Sequence, residues 1–357
     1  MIVPMIYFLP KADYKNYPKS AWALLALAIV LILSVVLNQD IALKGYAPLS
    51  KIKYFLFGFL MIAPYQWYFK KHMTEKKISW LLYGFCGATT FATVVGIYSK
   101  MRGYNPITMR NVDVVRNAGF FGIVMNYAHN LAFFLIIITG LVIFRKQIAK
   151  YINLNFLYIV LGINLIGLYL TYTRGAWLAY LVAVPFFLLK NNKKYFVSVL
   201  VVLLIIGGVF FKFAGDAVIR PDSERQRISQ WQAGIKAFKE RPILGYGYLN
   251  FELHSYDIKK RYDLPEKHFG GHAHSNLIEM LACAGVLGFV AFLSWVGFWF
   301  KEVKGRRDIF GLVGLPFIVV FFVGGLTQST VLLGINLFFV MGFYSIEIGE
   351  SCAKLTA

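Results

Sequence analysis

Apolar residues in this chain come in blocks of roughly 20, the length an α-helix needs to cross the hydrocarbon core of a bilayer. The blocks fall near residues 20–38, 50–69, 78–98, 119–144, 154–173, 174–190, 195–213, 276–300, 309–326 and 331–348. Composition agrees with that pattern. Hydrophobic residues make up 58% of the 357 and charged residues 15%, against about half and about a quarter in soluble domains. The expected fold is an all-α polytopic membrane protein with about ten transmembrane helices. No internal repeat or low-complexity tract stands out, so 1–357 reads as a single integral membrane domain. Met1 to Pro10 is apolar but lacks the basic segment of a cleavable signal peptide. The three cysteines, Cys86, Cys283 and Cys352, have no metal-type spacing and outline no disulfide framework.

The net charge of +20 would suggest nucleic acid in a soluble protein. In a membrane protein it first reports orientation, because Lys and Arg favour cytoplasmic loops. One set of short connections carries Lys11, Lys15 and Lys19, then Lys70, Lys71, Lys76 and Lys77, then Arg145, Lys146 and Lys150. It continues with Lys190, Lys193 and Lys194, and then Lys301, Lys304, Arg306 and Arg307. These connections alternate with the spans, so they share one side, and both termini fall in the cytoplasm. The opposite side receives the 39–49 turn, the 99–118 loop, the Thr173-Arg174-Gly175 hairpin, a long polar loop over 215–276 and the 327–330 turn. The 99–118 loop opposes the charge rule, with Lys100, Arg102, Arg110 and Arg116 against Asp113 alone. Either an anionic ligand or lipid headgroups would explain it.

The long loop is where chemistry is to be sought, since long ordered loops are commonly functional. Residues 223–240 read as an amphipathic helix, with Ser223 and Gln226 spaced as a capping box. Ile228, Trp231, Ile235 and Phe238 recur at helical spacing and would form one apolar face, to lie on the membrane or roof a cavity. Arg225 and Arg227 flank that stripe, and periodicity does not choose between them. The Arg241–Tyr248 segment, with Pro242, Gly245 and Gly247, reads as a structural turn. Its Gly-x-Gly follows no strand, so a dinucleotide reading fails its context. His272 and His274 directly precede an apolar helix that Ser275 or Asn276 could cap. The positive end of a helix dipole disfavours imidazolium, and a neutral imidazole can act as a general base. A polar helix entrance without chemistry is the plainer reading. Metal binding by these histidines with His254, His268 or Glu279 lacks recognisable spacing. Arg174 sits between two apolar blocks with almost no linker, a costly place for a charge unless it snorkels or serves a function. A guanidinium there suits a phosphate, because its planar fork donates two parallel hydrogen bonds. No carboxylate pair suggests glycoside hydrolysis, and no Gly-x-Ser-x-Gly elbow is present.

Taken in order, these pieces resemble the O-antigen ligase and polymerase superfamily of bacterial envelope glycosyltransferases. The resemblance runs from Thr173 to about Leu293. It rests on Thr-Arg-Gly-Ala at 173–176, Glu-Arg-Gln-Arg-Ile-Ser-Gln-Trp at 224–231, Arg-Pro-Ile-Leu-Gly-Tyr-Gly at 241–247, His-Ala-His-Ser-Asn-Leu-Ile-Glu-Met-Leu at 272–281 and Ala-Gly-Val-Leu-Gly-Phe at 284–289. It implies a glycosyltransferase C-type fold, with up to about twelve spans as is common in ligases. The implied reaction moves a glycan from undecaprenyl diphosphate to lipid A-core or another glycan acceptor. It inverts the anomeric carbon and needs no metal or other cofactor. The family's hairpin arginine maps to Arg174, and its loop arginine, four residues before the tryptophan, maps to Arg227. Its histidine maps to His274. These three are the expected catalytic residues, and Arg225, His272, Asn276, Arg241, Arg102, Arg110 and Arg116 are expected to contact substrate. Membrane lipids are the other expected partner, and nucleic acid is not one. The implied setting is the bacterial inner membrane, with the site facing the periplasm. The loop motif leans toward a ligase over a polymerase or a protein glycosylase. A transporter or flippase is the reading from a different class, and it would ordinarily show internal repeats.

Overall fold

A computed structural model of the chain describes residues 7–8, 10, 12–189, 193–213, 221–266 and 268–355. The opening of the long loop (215–220), Lys11, Lys190 and most of the Met1–Pro10 stretch lie outside the described residues.

The described chain is almost wholly helical. In order it forms α1 (Lys19–Val36), α2 (Leu49–Leu60), α3 (Ile62–Lys71) and α4 (Glu75–Arg102). A two-strand ribbon of β1 (Tyr104–Asn105) and β2 (Arg110–Asn111) follows. Then come α5 (Val124–Ile143), α6 (Arg145–Ile148), α7 (Leu154–Tyr169), α8 (Arg174–Ala183) and α9 (Lys193–Phe213). The chain continues as α10 (Pro221–Glu240), α11 (Phe251–Arg261), α12 (Asn276–Lys304), α13 (Ile309–Thr327) and α14 (Gly334–Leu355). Local chemistry sets several of these ends. Thr74 accepts the Lys77 N–H at the start of α4, and Asn153 accepts the Phe156 N–H at the start of α7. Gly103, at φ 70°, lets the chain leave α4 through the left-handed region.

Every expected apolar block coincides with helix. Among the described residues, five helices, α1, α4, α5, α12 and α13, are long and apolar enough to cross a membrane by length and composition. This is a multi-pass, all-α membrane protein. Two of the expected blocks are broken by proline. The 50–69 block divides into α2 and α3 because Pro64 cannot donate to Leu60 and would collide with its carbonyl. In the 174–190 block, Pro185 tightens the chain after α8 into a 3-10 turn, Val184–Phe187.

The chain divides into two compact units. The first comprises 1–71, 220–304 and 325–357, and the second 72–219 and 305–324. Within the first, α12 packs along α1, and α14 packs on α2 and α3. Within the second, α7 packs on α4 and α5, and α8 on α5. A buried polar cluster joins three of those helices. Thr93 Oγ1 donates to Asn164 Oδ1 (2.6 Å), the Asn164 amide donates to Thr90 Oγ1 (2.9 Å), and Tyr127 OH lies 2.7 Å from Thr93 Oγ1.

The polar loop of the first unit builds its own small core. Ala233 and Ala237 of α10, Phe251 and Ile258 of α11, and Ala282 and Cys283 of α12 gather with Tyr246 and Ala273. Two expectations about α10 change. The helix is described from Pro221 onward. Ser223 therefore lies inside the helix rather than capping it. The buried face is also not the large apolar stripe. Ile228 and Ile235 are exposed, while Ser229, Gln230, Ala233, Gly234 and Ala237 are buried. The small residues let α10 approach α12 closely, and a Cβ on Gly234 would stand 2.5 Å from Ile278 Cγ2. Close approach decides the buried face here, and periodicity of large side chains does not register it.

The Arg241–Tyr248 segment is a structural turn, and its partner is a break in α12. Gly285 is non-helical, at φ 60° and ψ −158°. The turn lays its backbone into that break. Tyr246 N–H donates to Ala282 O (2.8 Å), Gly247 N–H to Cys283 O (2.9 Å) and Val286 N–H to Pro242 O (2.8 Å). A Cβ on Gly285 would sit 2.3 Å from the Ile243 carbonyl carbon, and one on Gly245 would sit 2.5 Å from the Cys283 carbonyl carbon. Both glycines are required for this close approach, which ties the 276–284 part of α12 to the turn.

Candidate active site

The 268–276 strap carries both histidines and enters α12. It is fastened at each step. Gly271 N–H donates to Ser255 Oγ (2.7 Å), and the Lys259 ammonium donates to Phe269 O (3.0 Å). The Gln230 amide, turned so that its oxygen accepts from Gly271 N–H (3.2 Å) and Lys259 Nζ (3.2 Å), ties α10 to the same segment. Ala273 N–H donates to Glu279 Oε2 (2.6 Å), and Glu279 also accepts from Ser329 Oγ (3.2 Å) and Cys283 Sγ (3.1 Å). Ser275 N–H donates to Ser329 Oγ (3.2 Å). The α12 entrance is thus bound to the turn after α13.

Asn276 belongs to this fastening. Its amide nitrogen donates to Thr330 Oγ1 (2.9 Å) and its oxygen accepts the Val331 N–H (3.2 Å). The side chain is buried with both ends engaged, so it fastens the helix entrance to the turn after α13.

His274 stands at the head of that entrance in the left-handed region, φ 51°. Such a backbone costs a non-glycine residue of order 1–2 kcal/mol, and the strap's bonds on either side hold it there. An amide oxygen can only accept, so His274 Nδ1–H donates to Gln328 Oε1 (2.8 Å). The other ring nitrogen, Nε2, has no hydrogen-bond partner among the described residues. His272 lies beside it, with ring centroids 4.2 Å apart. The Gln328 amide nitrogen donates to His272 Nε2 across 3.4 Å.

Burial pushes the His274 imidazole down to about 4, and the neighbouring His272 ring and the charges of Arg227 and Lys259 push the same way. His272 is lowered too, again chiefly by burial. The ring is therefore neutral, as its place before a helix suggested, but removal from water is the larger cause. Lys259 is fully buried on α11, and burial lowers its ammonium below the ordinary lysine range.

The arginines separate by environment. Arg227 is half-buried on α10 and its charge reaches His274, whereas Arg225 is exposed. Arg241 is engaged in the fold, donating to Asn38 Oδ1 (2.8 Å) and pairing with Asp40. That pairing holds the Asp40 carboxyl below its usual range. In the second unit, Arg174 is the half-buried first residue of α8. Arg116 braces the hairpin before it, donating to Thr171 O (2.9 Å) and Thr173 Oγ1 (2.9 Å). Arg102 and Arg110 are exposed, Arg102 lying over the Tyr98 ring and Arg110 in β2. Among the described residues, no three His, Cys, Asp or Glu side chains gather as a metal site would need. His254 instead donates from Nε2 to Ile41 O (2.8 Å).

Three contributors were missed in the sequence: Gln328, Lys259 and Gln230. Gln328 had a signal, since Thr327-Gln328-Ser329-Thr330 is a polar run between two apolar blocks. Lys259 had a weaker one, sharing the i, i+3, i+4 face of Ser255 and Ile258 inside what reads as a solvated basic run.

Residues 157–293 match the family model described as O-Antigen ligase, a range that holds Arg174, Arg227 and His274. A Haemophilus influenzae protein described as "Uncharacterized protein" is 24% identical over 319 residues, covering 82% of this chain and 75% of that one. A Rickettsia felis protein described as "Putative polysaccharide ligase" is 24% identical over 143 residues, covering 35% of this chain and 34% of that one. The part of the chain that is similar to the O-antigen ligase family model thus spans both the neutral His274 and its neighbour Arg227.

Proposed function

We propose that the protein transfers a glycan from undecaprenyl diphosphate to a sugar hydroxyl, with His274 as general base and Arg227 beside the departing diphosphate. The acceptor hydroxyl gives its proton to His274 Nε2 as its oxygen bonds to the anomeric carbon. The bond from that carbon to the phosphate oxygen breaks on the opposite face, inverting the centre, and undecaprenyl diphosphate leaves. Negative charge builds on its oxygens, and a fixed guanidinium stabilises that charge more in the transition state than in the ground state. A sugar hydroxyl is a poor nucleophile without a base, and a positioned imidazole contributes ~10²–10⁴-fold. A diphosphate arriving among Arg227 and Lys259 offsets their charge and raises the basicity of the ring when it is needed.

The observation that carries this reading is the state of His274. It is neutral, tied through Nδ1, open at Nε2 and within reach of the Arg227 charge. Arg174 enters the proposal as the family's second arginine, and its own variant tests it. The name of the Rickettsia felis relative favours a ligase over a polymerase; lipid A-core as the acceptor is part of the proposal. About ten spans, a periplasmic site and cytoplasmic termini belong to the same proposal. The test is complementation in a strain lacking its native ligase. Correctly inserted His274→Ala and Arg227→Ala proteins are expected to leave surface polysaccharide unattached, and wild-type glycan patterns in both would overturn the assignment.

A further inference from the structure

We infer that Gln328 is a positioning residue that sets the tautomer and ring orientation of His274, so that His274 rather than His272 presents the open lone pair. The inference rests on the proposed role of His274 as base.

One amide meets two imidazoles. Its oxygen accepts from His274 Nδ1–H at 2.8 Å, and its nitrogen donates to His272 Nε2 at 3.4 Å. An amide has one end of each kind, so it imposes different conditions on the two rings. His274 must carry its proton on Nδ1, which leaves the Nε2 lone pair open. His272 must offer its Nε2 lone pair to the amide, so that lone pair is occupied. Turned over, the same amide would mask His274 and make its Nε2 a donor, useless for removing a proton from a hydroxyl.

The amide is buried on an anchored backbone. Gln328 is 2% exposed. Thr330 N–H donates to Gln328 O (2.8 Å), and the adjoining Ser329 and Thr330 bond to Ser275, Glu279 and Asn276 of the α12 entrance. The turn and the strap are therefore tied to each other.

The choice of a neutral amide has a chemical consequence. A carboxylate in its place would stabilise imidazolium and leave the ring partly protonated before substrate arrives. The charged groups around His274 all work the other way or are already engaged. His272 on the strap, Arg227 on α10 and Lys259 on α11 lower its basicity. The Glu279 carboxylate on α12 is occupied by Ala273 N–H and Ser329 Oγ. An amide orients the ring without adding a countercharge.

The test compares transfer rates against pH for purified wild-type, Gln328→Leu and Gln328→Glu proteins with a lipid-linked glycan donor and a glycan acceptor. Gln328→Leu, which loses both bonds, is expected to lower kcat roughly 10–100-fold, part of the base's contribution, with little change in donor KM. Gln328→Glu restores an acceptor for His274 Nδ1–H. It is expected to recover much of that rate and move the acid limb of kcat/KM upward by about one pH unit or more. A folded Gln328→Glu protein whose profile superimposes on wild type overturns the inference. Nitrogen-15 NMR of histidine-labelled wild-type protein tests the same point without a variant. Nδ1–H with unprotonated Nε2 is expected for His274, and the reverse tautomer overturns the inference. His274→Ala separates the two levels: full activity in that variant removes the base reading itself, whereas an inactive His274→Ala beside an unshifted Gln328→Glu removes only the role of Gln328.

Discussion

At the scale of single residues, the account turns on a histidine kept neutral by burial and a nearby positive charge. The pH dependence follows from that. A base must be unprotonated to work, and His274 titrates near 4 in the folded protein, against about 6.5 for an unperturbed imidazole. The acid limb of kcat/KM is therefore expected below pH 6, and a limb centred at 6.5 or above would contradict the assignment. Stability carries the opposite face of the same shift. The fold prefers the neutral ring, so the contribution of His274 is fully present above about pH 6.5 and is lost as pH falls toward 4. Acid unfolding monitored in His274→Asn should lose that part of the slope. Arg227→Ala is expected to cut kcat about 10²–10³-fold, the usual cost of removing a charge-stabilising donor. Arg225→Ala, at an exposed position on the same helix, should cost less than tenfold in a transfer assay. Equal losses at the two would remove the distinction between them. Periodicity left Arg225 and Arg227 alike, and only the family resemblance singled out Arg227, because the difference in burial depends on how α10 is rotated about its axis.

At the scale of elements, the site depends on a helix that is broken and then mended. The 242–247 turn supplies backbone partners to α12 where Gly285 interrupts it. Gly285→Ala would place a Cβ against the Ile243 carbonyl at 2.3 Å, on a backbone at φ 60° and ψ −158° that is essentially reserved for glycine and costs a side chain about 1–3 kcal/mol. Neither backbone can move without opening the interlock. This variant is expected to yield little folded protein by size-exclusion chromatography and a lower unfolding temperature in detergent. A wild-type unfolding temperature would show that the interlock does not hold the α12 entrance. By contrast, Asp40→Asn removes a partner of Arg241 at an exposed pair, and should leave the unfolding temperature nearly unchanged, because solvent screens such pairs. The sequence marked both glycine-rich segments, at 241–247 and 284–289, as separate short motifs. It could not show that they are two halves of one contact, because backbone pairing between distant segments leaves no side-chain pattern. The rotation of α10 was hidden for a related reason. A row of small residues permits the closest packing, yet the apolar stripe at helical spacing is the more visible signal.

At the scale of the whole molecule, the apolar blocks of the sequence foretold the helices well, because bilayer thickness sets segment length. Their interruptions at Pro64 and Pro185 follow from the missing amide hydrogen. What escaped the sequence is how distant segments meet, above all the 328–331 turn against the α12 entrance, joined by hydrogen bonds some 54 residues apart. The proposed orientation predicts a labelling pattern. A single cysteine at the exposed His268 position should react with an impermeant maleimide from the periplasmic side. One at the exposed Arg307 position should react only after the inner membrane is opened. The reverse pattern would invert the topology. The central claim is that this site transfers a glycan from a lipid diphosphate using His274. Its most direct test is transfer by the purified protein, reconstituted with an undecaprenyl-diphosphate-linked glycan and a lipid A-core acceptor, beside His274→Ala. The account predicts product from the wild type and at least a ~100-fold lower rate from the variant, with donor binding retained. Equal rates in the two proteins would contradict it.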